Sequence, residues 1–372
     1  MKFKIMFICC IMYLSCTNTD INNNSTLLNQ FKNIDFNNRI AKKIRYSETS
    51  KFIKLDTAKD AIFAYIDKLI IKNHKIYIMD ARARKKVLCF NMAGEHLNNY
   101  GKHGKGPGEY IKLRDFDVDT NGDVFIYSAN KQNIYQYDAN NRFIKAYKQN
   151  FYADGFKILS NENFFFIIDP YSSNTDSMIC ILNPNNNKRK FLYKYNDDDK
   201  AKLRIFNYTQ PSNNGFLCYI PIRDYFFKFN NSGKLLSGYK INFGSEKLPK
   251  KYKYNSLKIK KYNKSYQYIN TCPIIYKNYI IGETMNKNAD KKVKSIFKYN
   301  LNNKKLITEK ISMKNFTHKS LYPFLCVHNR WIISFLNLEL LKHSRNKNLI
   351  PRDIKEYIKN GGYVITFNKL NH

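Results

Sequence analysis

The stretch of this 372-residue chain best suited to chemistry is Gly101 to Tyr110, GKHGKGPGEY. Four glycines and a proline in ten residues mark backbone that needs positive φ or close approach to another segment. Glycine-rich backbone can turn several N–H groups toward one point, and such a concavity suits an anion. Lys105 and Arg114 add positive charge, Tyr110 offers a ring, and His103 is a further polar candidate, so Lys105, Glu109, Tyr110, Arg114 and His103 are the candidate ligand-binding residues. Glu109 has a competing role: its carboxylate can pin the loop by accepting backbone N–H bonds. In that structural reading Gly104, Gly106, Pro107 and Gly108 shape a connector. Nucleotide loops are excluded. A Walker loop starting at Gly101 would need Lys at 107, which is Pro107, and the spacing at 104, 106 and 108 is GxGxG rather than GxGxxG.

Other candidates are weaker. Asp117 to Asp123 begins like a calcium loop, but a full EF-hand would need Glu at 128, which is Ser128, so a hairpin turn is expected. Asp197-Asp198-Asp199 reads as a solvated acidic loop. Lys247 to Tyr268 interleaves Lys with Tyr and reads as a solvated flap; its sharper reading is a surface that stacks rings or grips sulfated sugar. No GxSxG, HExxH or SxxK motif occurs. No catalytic residue, metal ligand or cofactor is expected.

These residues must be placed by a chain that first has to be exported. Met1 to Ser15 has Lys2 and Lys4 ahead of an apolar run, Ile5 to Leu14, too short to span a bilayer. It ends in Leu14-Ser15-Cys16, similar to a bacterial lipobox with Tyr13 as a departure, so lipidation is expected at Cys16. Residues 16–45 read as a polar tether and 46–372 as the folded domain. Cys9 and Cys10 would leave with the signal; the other cysteines, Cys89, Cys180, Cys218, Cys272 and Cys326, are odd in number, lack a CxxC and lie in or beside apolar runs, which predicts buried thiols. Lys and Arg number 64 against 29 Asp and Glu, a formal charge of +35. Most of that follows from Lys, Asn, Ile, Tyr and Phe recurring throughout. The sharper reading is a surface for polyanions, and export argues against nucleic acid.

A repeat supplies the scaffold. A strand end, then Asn or Asp, then a turn closed by Gly or Asn recurs with apolar anchors at Phe90, Tyr137, Leu182, Phe229, Tyr299 and Phe367. The first three intervals fit a four-stranded propeller blade of about 40–50 residues. The last two are lengthened by insertions at about 247–268 and, with helical character, 337–360. The sixth copy is read as stopping at its turn near Asn368, short of an outer strand. An open edge is a hazard, and Lys51 to Leu55 is the orphan strand expected to fill it. The fold class is therefore all-β, a six-bladed β-propeller closed by an N-terminal strand. On a ring of repeats a central metal needs ligands recurring at one blade position, and the seven histidines do not recur so.

The string Gly104 to Tyr110, with Phe116-Asp117-Val118-Asp119, Ile241-Asn242-Phe243-Gly244 and Leu248-Pro249, resembles the six-bladed β-propeller lipoproteins of Gram-negative envelopes, relatives of NHL-type propellers. The resemblance runs from about Phe52 to the C-terminus. It implies a lipid-anchored protein of the cell envelope, at the outer membrane, periplasmic or surface-facing, and no particular reaction. The function expected is a non-enzymatic binding or scaffolding module for a glycan, peptide or envelope protein. The alternative is a propeller lyase or hydrolase acting on peptide or glycan.

Overall fold

The computed structural model of the chain describes residues 24–172, 174–195, 204–253, 262, 264–288, 291–312, 319–321, 323–344 and 350–370. The signal segment, Cys16 and the Asp197–Asp199 run lie outside the described residues.

The repeat becomes six antiparallel sheets arranged as propeller blades. Blade 1 holds Lys68–Lys72, Lys75–Asp80, Lys86–Asn91 and His96–Tyr100. Blade 2 holds Leu113–Val118, Val124–Ser128, Asn133–Tyr137 and Phe143–Lys148; blade 3 holds Ala153–Ile158, Phe164–Ile168, Ser177–Leu182 and Arg189–Lys194. In blade 4 the order is Thr209–Ser212, Gly215–Cys218, Tyr225–Phe229 and Leu235–Asn242. Blade 5 has an inner edge split into Tyr266–Ile269 and Ile274–Tyr276, both paired with Tyr279–Asn288, followed by Lys291–Asn300 and Leu306–Lys310.

The inner and second strands bury nearly every side chain, as in Leu113–Val118 and Phe164–Ile168, because each sheet is covered on both faces by its neighbours. Aromatic rings fill the space between blades. Phe165 meets Phe216 and Phe229 at 5.1 Å, and Phe125 meets Phe164 at 5.8 Å. All five described cysteines are free and buried.

Blade 6 closes as expected. Cys326–His328, Trp331–Leu336 and Val364–Leu370 are joined by the N-terminal strand Tyr46–Lys54, with Ile53 opposite Ile365 and Phe52 opposite Thr366. The expected turn near Asn368 is absent. The strand continues to Leu370, and the buried Asn368 amide donates to the Ile332 carbonyl and the Thr366 hydroxyl instead. The insertion at 337–360 is helical, with Leu338–His343 capped by the Asn337 side chain and Arg352–Lys359. Among the described residues no helix is long and apolar enough to cross a membrane.

The tether expected over 16–45 is corrected in its second half. Lys32–Asp35 pairs in parallel with Leu235–Asn242 and makes blade 4 five-stranded; Ile40–Ala41 pairs in parallel with Leu306–Lys310 on blade 5. Phe31, Ile34 and Phe36 are buried there. Arg39 pairs with Glu246, and Glu309 accepts from Arg45 and from the Ile44 N–H. From Leu27 onward the segment is a strap across three blades.

Candidate functional site

The glycine connector is described throughout, and its backbone concavity is already filled. The Glu109 carboxylate accepts from the Gly106 N–H at 2.9 Å, and a Cβ on Gly104 would collide with the same carboxylate. Gly104 N–H donates to the Tyr110 carbonyl and Glu109 N–H to the Gly106 carbonyl. The Gly106 N–H holds the Glu109 carboxyl below the usual carboxylate range, and Lys102 at 3.5 Å adds to this. The loop thus supplies its own anion.

The connector lies against the outer half of blade 2 rather than over the axis. Tyr137 Oη donates to the Gly108 carbonyl, a Cβ on Gly108 would meet the Phe143 ring at 2.7 Å, and Gly101 N–H donates to Asn141. Gly101 and Gly108 both hold φ near +68°, where glycine avoids the clash a Cβ would make. Tyr110 is buried, and its hydroxyl donates to the Lys85 and Tyr100 carbonyls, so its ring is packing between blades 1 and 2. Lys105 is exposed. His103 is exposed with Nε2 3.5 Å from Lys85 Nζ.

Arg114 does not reach the connector. It is buried in the inner strand of blade 2, where it pairs with Asp154 of blade 3 and donates to Tyr208 at 3.1 Å. The structure therefore brings Gly104, Gly106, Gly108 and Glu109 together and leaves His103, Lys105 and Arg114 apart. Asp117 to Asp123 turns as a hairpin, with Asp119 accepting from the Asn121 and Asp123 N–H groups.

Arg114 belongs to a polar ladder round the axis. Lys68 bridges Asp115 and the Phe116 carbonyl at 2.8 Å each. Asp115 also accepts from Phe156 N–H, and Asp117 from Ile158 N–H, both at 2.8 Å. Burial pushes the Asp115 carboxyl up despite Lys68. Burial acts on Asp117 as well, but Lys157 and Lys68 outweigh it and hold that carboxyl low. An axial cavity of about 330 Å³ lies beside this ladder, lined by Lys72, Asp117, Lys157, Thr209, Gln210 and His328. Among the described residues no three His, Cys, Asp or Glu side chains gather as metal ligands would.

A cleft of about 630 Å³ lies on blade 5. Its floor follows from strand alternation. Thr284 and Asn286 share a face with their partners Ser295 and Val293, and Gln267 and Thr308 continue that face across the sheet. Thr284 and Ser295 are buried, and the Asn286 amide donates to Ser295 at 3.0 Å. Lys42 and Lys43 of the strap and Lys310 stand exposed at the margin. The described part of the Lys/Tyr insertion lies alongside. Tyr252, Tyr262, Tyr266 and Tyr268 form a run of ring contacts at 4.7, 5.7 and 6.1 Å, packed with Leu248 and Ile222 rather than solvated. Sequence reasoning missed this cleft. Its signal was the small polar residue at every second position of 284–286 and at 295.

Comparison with curated proteins gives no match. Among solved structures the chain is similar to a Bacteroides fragilis protein described as exported, with 16% identity over 92% of this chain and 100% of that one and a TM-score of 0.73. A DUF4221 family member of Bacteroides vulgatus is 12% identical over 89% and 100%, with a TM-score of 0.52. A virginiamycin B lyase of Staphylococcus aureus reaches 0.42 at 12% identity over 85% and 99%, a likeness too low to bear on chemistry. The first two likenesses bear on the fold alone. Residues 31–360 match the domain of unknown function DUF4934, and the chain belongs to that family.

Proposed function

We propose that this protein is a non-enzymatic binding propeller of the cell envelope, held by lipid on Cys16 at the outer membrane, and that its ligand seat is the cleft on blade 5. The cleft carries the reading. Its floor offers hydroxyl and amide groups from Gln267, Thr284, Asn286, Ser295 and Thr308, and its margin offers Lys42, Lys43 and Lys310. Glu246 and Glu309 also line the cleft, paired with Arg39 and Arg45; a dense set of neutral donors and acceptors with exposed lysines at the margin suits a polyhydroxylated chain bearing acidic groups, which means an acidic glycan. The signal-like Met1 to Ser15 and the lipobox-like Leu14-Ser15-Cys16 support an envelope location, where extracellular glycans are met.

Calorimetry with a sulfated glycosaminoglycan hexasaccharide and with neutral maltohexaose tests the seat. The sulfated probe binds the wild-type protein. Asn286→Ala and Lys310→Glu each weaken it about tenfold, the value of one lost contact worth about 1.4 kcal/mol, with the melting temperature unchanged for Lys310→Glu. Wild-type affinity in both variants overturns the assignment. For the anchor, Cys16→Ala releases the protein from the membrane fraction, and retention equal to wild type refutes lipidation there.

A further inference from the structure

The seam between blades 3 and 4 is a second surface with its own chemistry. The outer strand of blade 3 and its preceding turn, residues 183–195, hold Lys188, Arg189, Lys190 and Lys194; the corresponding stretch of blade 4, residues 230–242, holds Lys234 and Lys240. Neither stretch contains an Asp or Glu. Lys188, Lys190, Lys194, Lys234 and Lys240 are exposed, and Lys32 of the strap adds another exposed cation. Asp176 stands 3.8 Å from Lys194 as a local counter-charge. Two large apolar side chains are exposed on these outer strands: Leu236 at 49% on blade 4, and Phe191 at 43% on the face of blade 3's outer strand turned toward blade 2, with its ring 6.3 Å from Phe151. The two stretches adjoin. A Cβ on Gly233 would meet the Ile181 side chain at 2.9 Å, and Ile181 is the cross-strand partner of Lys190.

The strap enters the fold at this seam. Phe31 meets Phe227 of blade 4 at 5.7 Å, and Phe227 stacks on Tyr193 of blade 3 at 5.1 Å. From Cys16 to Asn24 is eight residues, which reach no more than about 29 Å when fully extended. A lipid on Cys16 therefore confines the entry of the strap to within that distance of the bilayer surface.

We propose that the rim made by the outer strands of blades 3 and 4, on both sides of their seam, is a membrane-docking face, in which Phe191 and Leu236 enter the interface and the surrounding lysines pair with anionic phospholipid headgroups. The charge match, the protruding apolar pair and the short leash point to the same surface. The proposal rests on the anchor reading for its geometry, but the docking is tested without the anchor.

The chain from Thr17 onward keeps every described residue and lacks the signal and Cys16. It is sedimented with vesicles of phosphatidylcholine alone and with phosphatidylglycerol at about one lipid in three. Wild-type protein partitions onto the anionic vesicles and not the neutral ones, and added salt weakens it. The triple variant Lys188→Gln, Lys190→Gln, Lys234→Gln loses about 100-fold in partition, about fivefold for each lysine near the surface. Phe191→Ser with Leu236→Ser also loses binding, and that loss persists when salt is raised. A control triple elsewhere, Lys102→Gln, Lys105→Gln and Lys359→Gln, stays within threefold of wild type; all variants melt like wild type. Absence of wild-type binding to anionic vesicles overturns the proposal. So does an equal loss in the control triple, which would make the attraction a property of the whole basic surface. If Cys16→Ala releases the protein from cells while the vesicle test fails, the anchor stands and the docking face falls. If the vesicle test succeeds and Cys16→Ala changes nothing, the docking face stands and the anchor falls.

Discussion

Phe36→Ala decides whether the segment before the propeller is a leash or a part of the fold. Phe36 is 1% exposed and lies between blades 4 and 5, with its ring 4.9 Å from Phe243 and 5.5 Å from Phe297. Truncating a buried Phe costs about 3–5 kcal/mol, the sum of lost transfer energy and the cavity left behind. For a domain above 250 residues each kcal/mol moves the melting temperature by about 2 °C, so the expected drop is about 6–10 °C. Asn33→Ala is the control, because Asn33 is exposed on the same strap strand. Thermal unfolding followed by intrinsic fluorescence measures both. If Phe36→Ala melts with Asn33→Ala and wild type, the strap is not part of the cooperative unit, and the burial argument is wrong.

Two further outcomes follow from the ion pairs. Glu109→Gln lowers the melting temperature at neutral pH while Lys105→Ala does not, because Glu109 holds the connector and Lys105 is exposed. The Glu109 carboxyl is held low, so its stabilisation is present above the ordinary carboxylate range and is lost as the pH falls through its folded-state value; the gap between Glu109→Gln and wild type closes in acid. Asp117 has the same sign, and with it buried against Lys157 and the Ile158 N–H, Asp117→Asn costs about 3–5 kcal/mol at neutral pH and flattens the acid limb of the stability curve. An unaltered acid limb in Asp117→Asn places the acid-sensitive group elsewhere.

What could be read from the sequence was local. Asn91, Asp138, Asn183, Asn230 and Asn300 each accept from a backbone N–H two residues on, at Ala93, Asn140, Asn185, Ser232 and Asn302. Such turns need only a few contiguous residues, so the repeat and the ring were legible. Asn368 shows the limit. It has the same flanking pattern, yet pairing with Tyr46–Lys54 keeps it in a strand, and that partner lies at the other end of the chain. The strap was read as tether for a similar reason. Phe31, Ile34 and Phe36 stand in an Asn-rich stretch with no strand-like alternation, and their burial depends on blades formed some 200 residues later. Arg114 was expected beside the connector because it is near in sequence, but an inner-strand side chain faces the next blade, where Asp154 waits.

The strap also covers the outer edges of two blades and completes a third. The outer strands of blades 4 and 5 are covered by Lys32–Asp35 and Ile40–Ala41, and blade 6 receives its outer strand from Tyr46–Lys54. Each of these pairings spans more than two hundred residues of sequence, so each part of the strap can settle only once the blade it pairs with has been made. A chain without the strap would leave Leu235–Asn242 and Leu306–Lys310 as free edges and blade 6 with three strands, and free edges recruit other chains. Burying Phe31 and Phe36 against two blades offsets the entropy of fixing a segment whose own pairings are only four and two residues long. In the anchored state proposed above, the same strap is the path from lipid to propeller. A pull on Cys16 is then resisted first by Leu27, Phe31 and the four-residue pairing on blade 4, and reaches the closing strand of blade 6 only after those contacts give way.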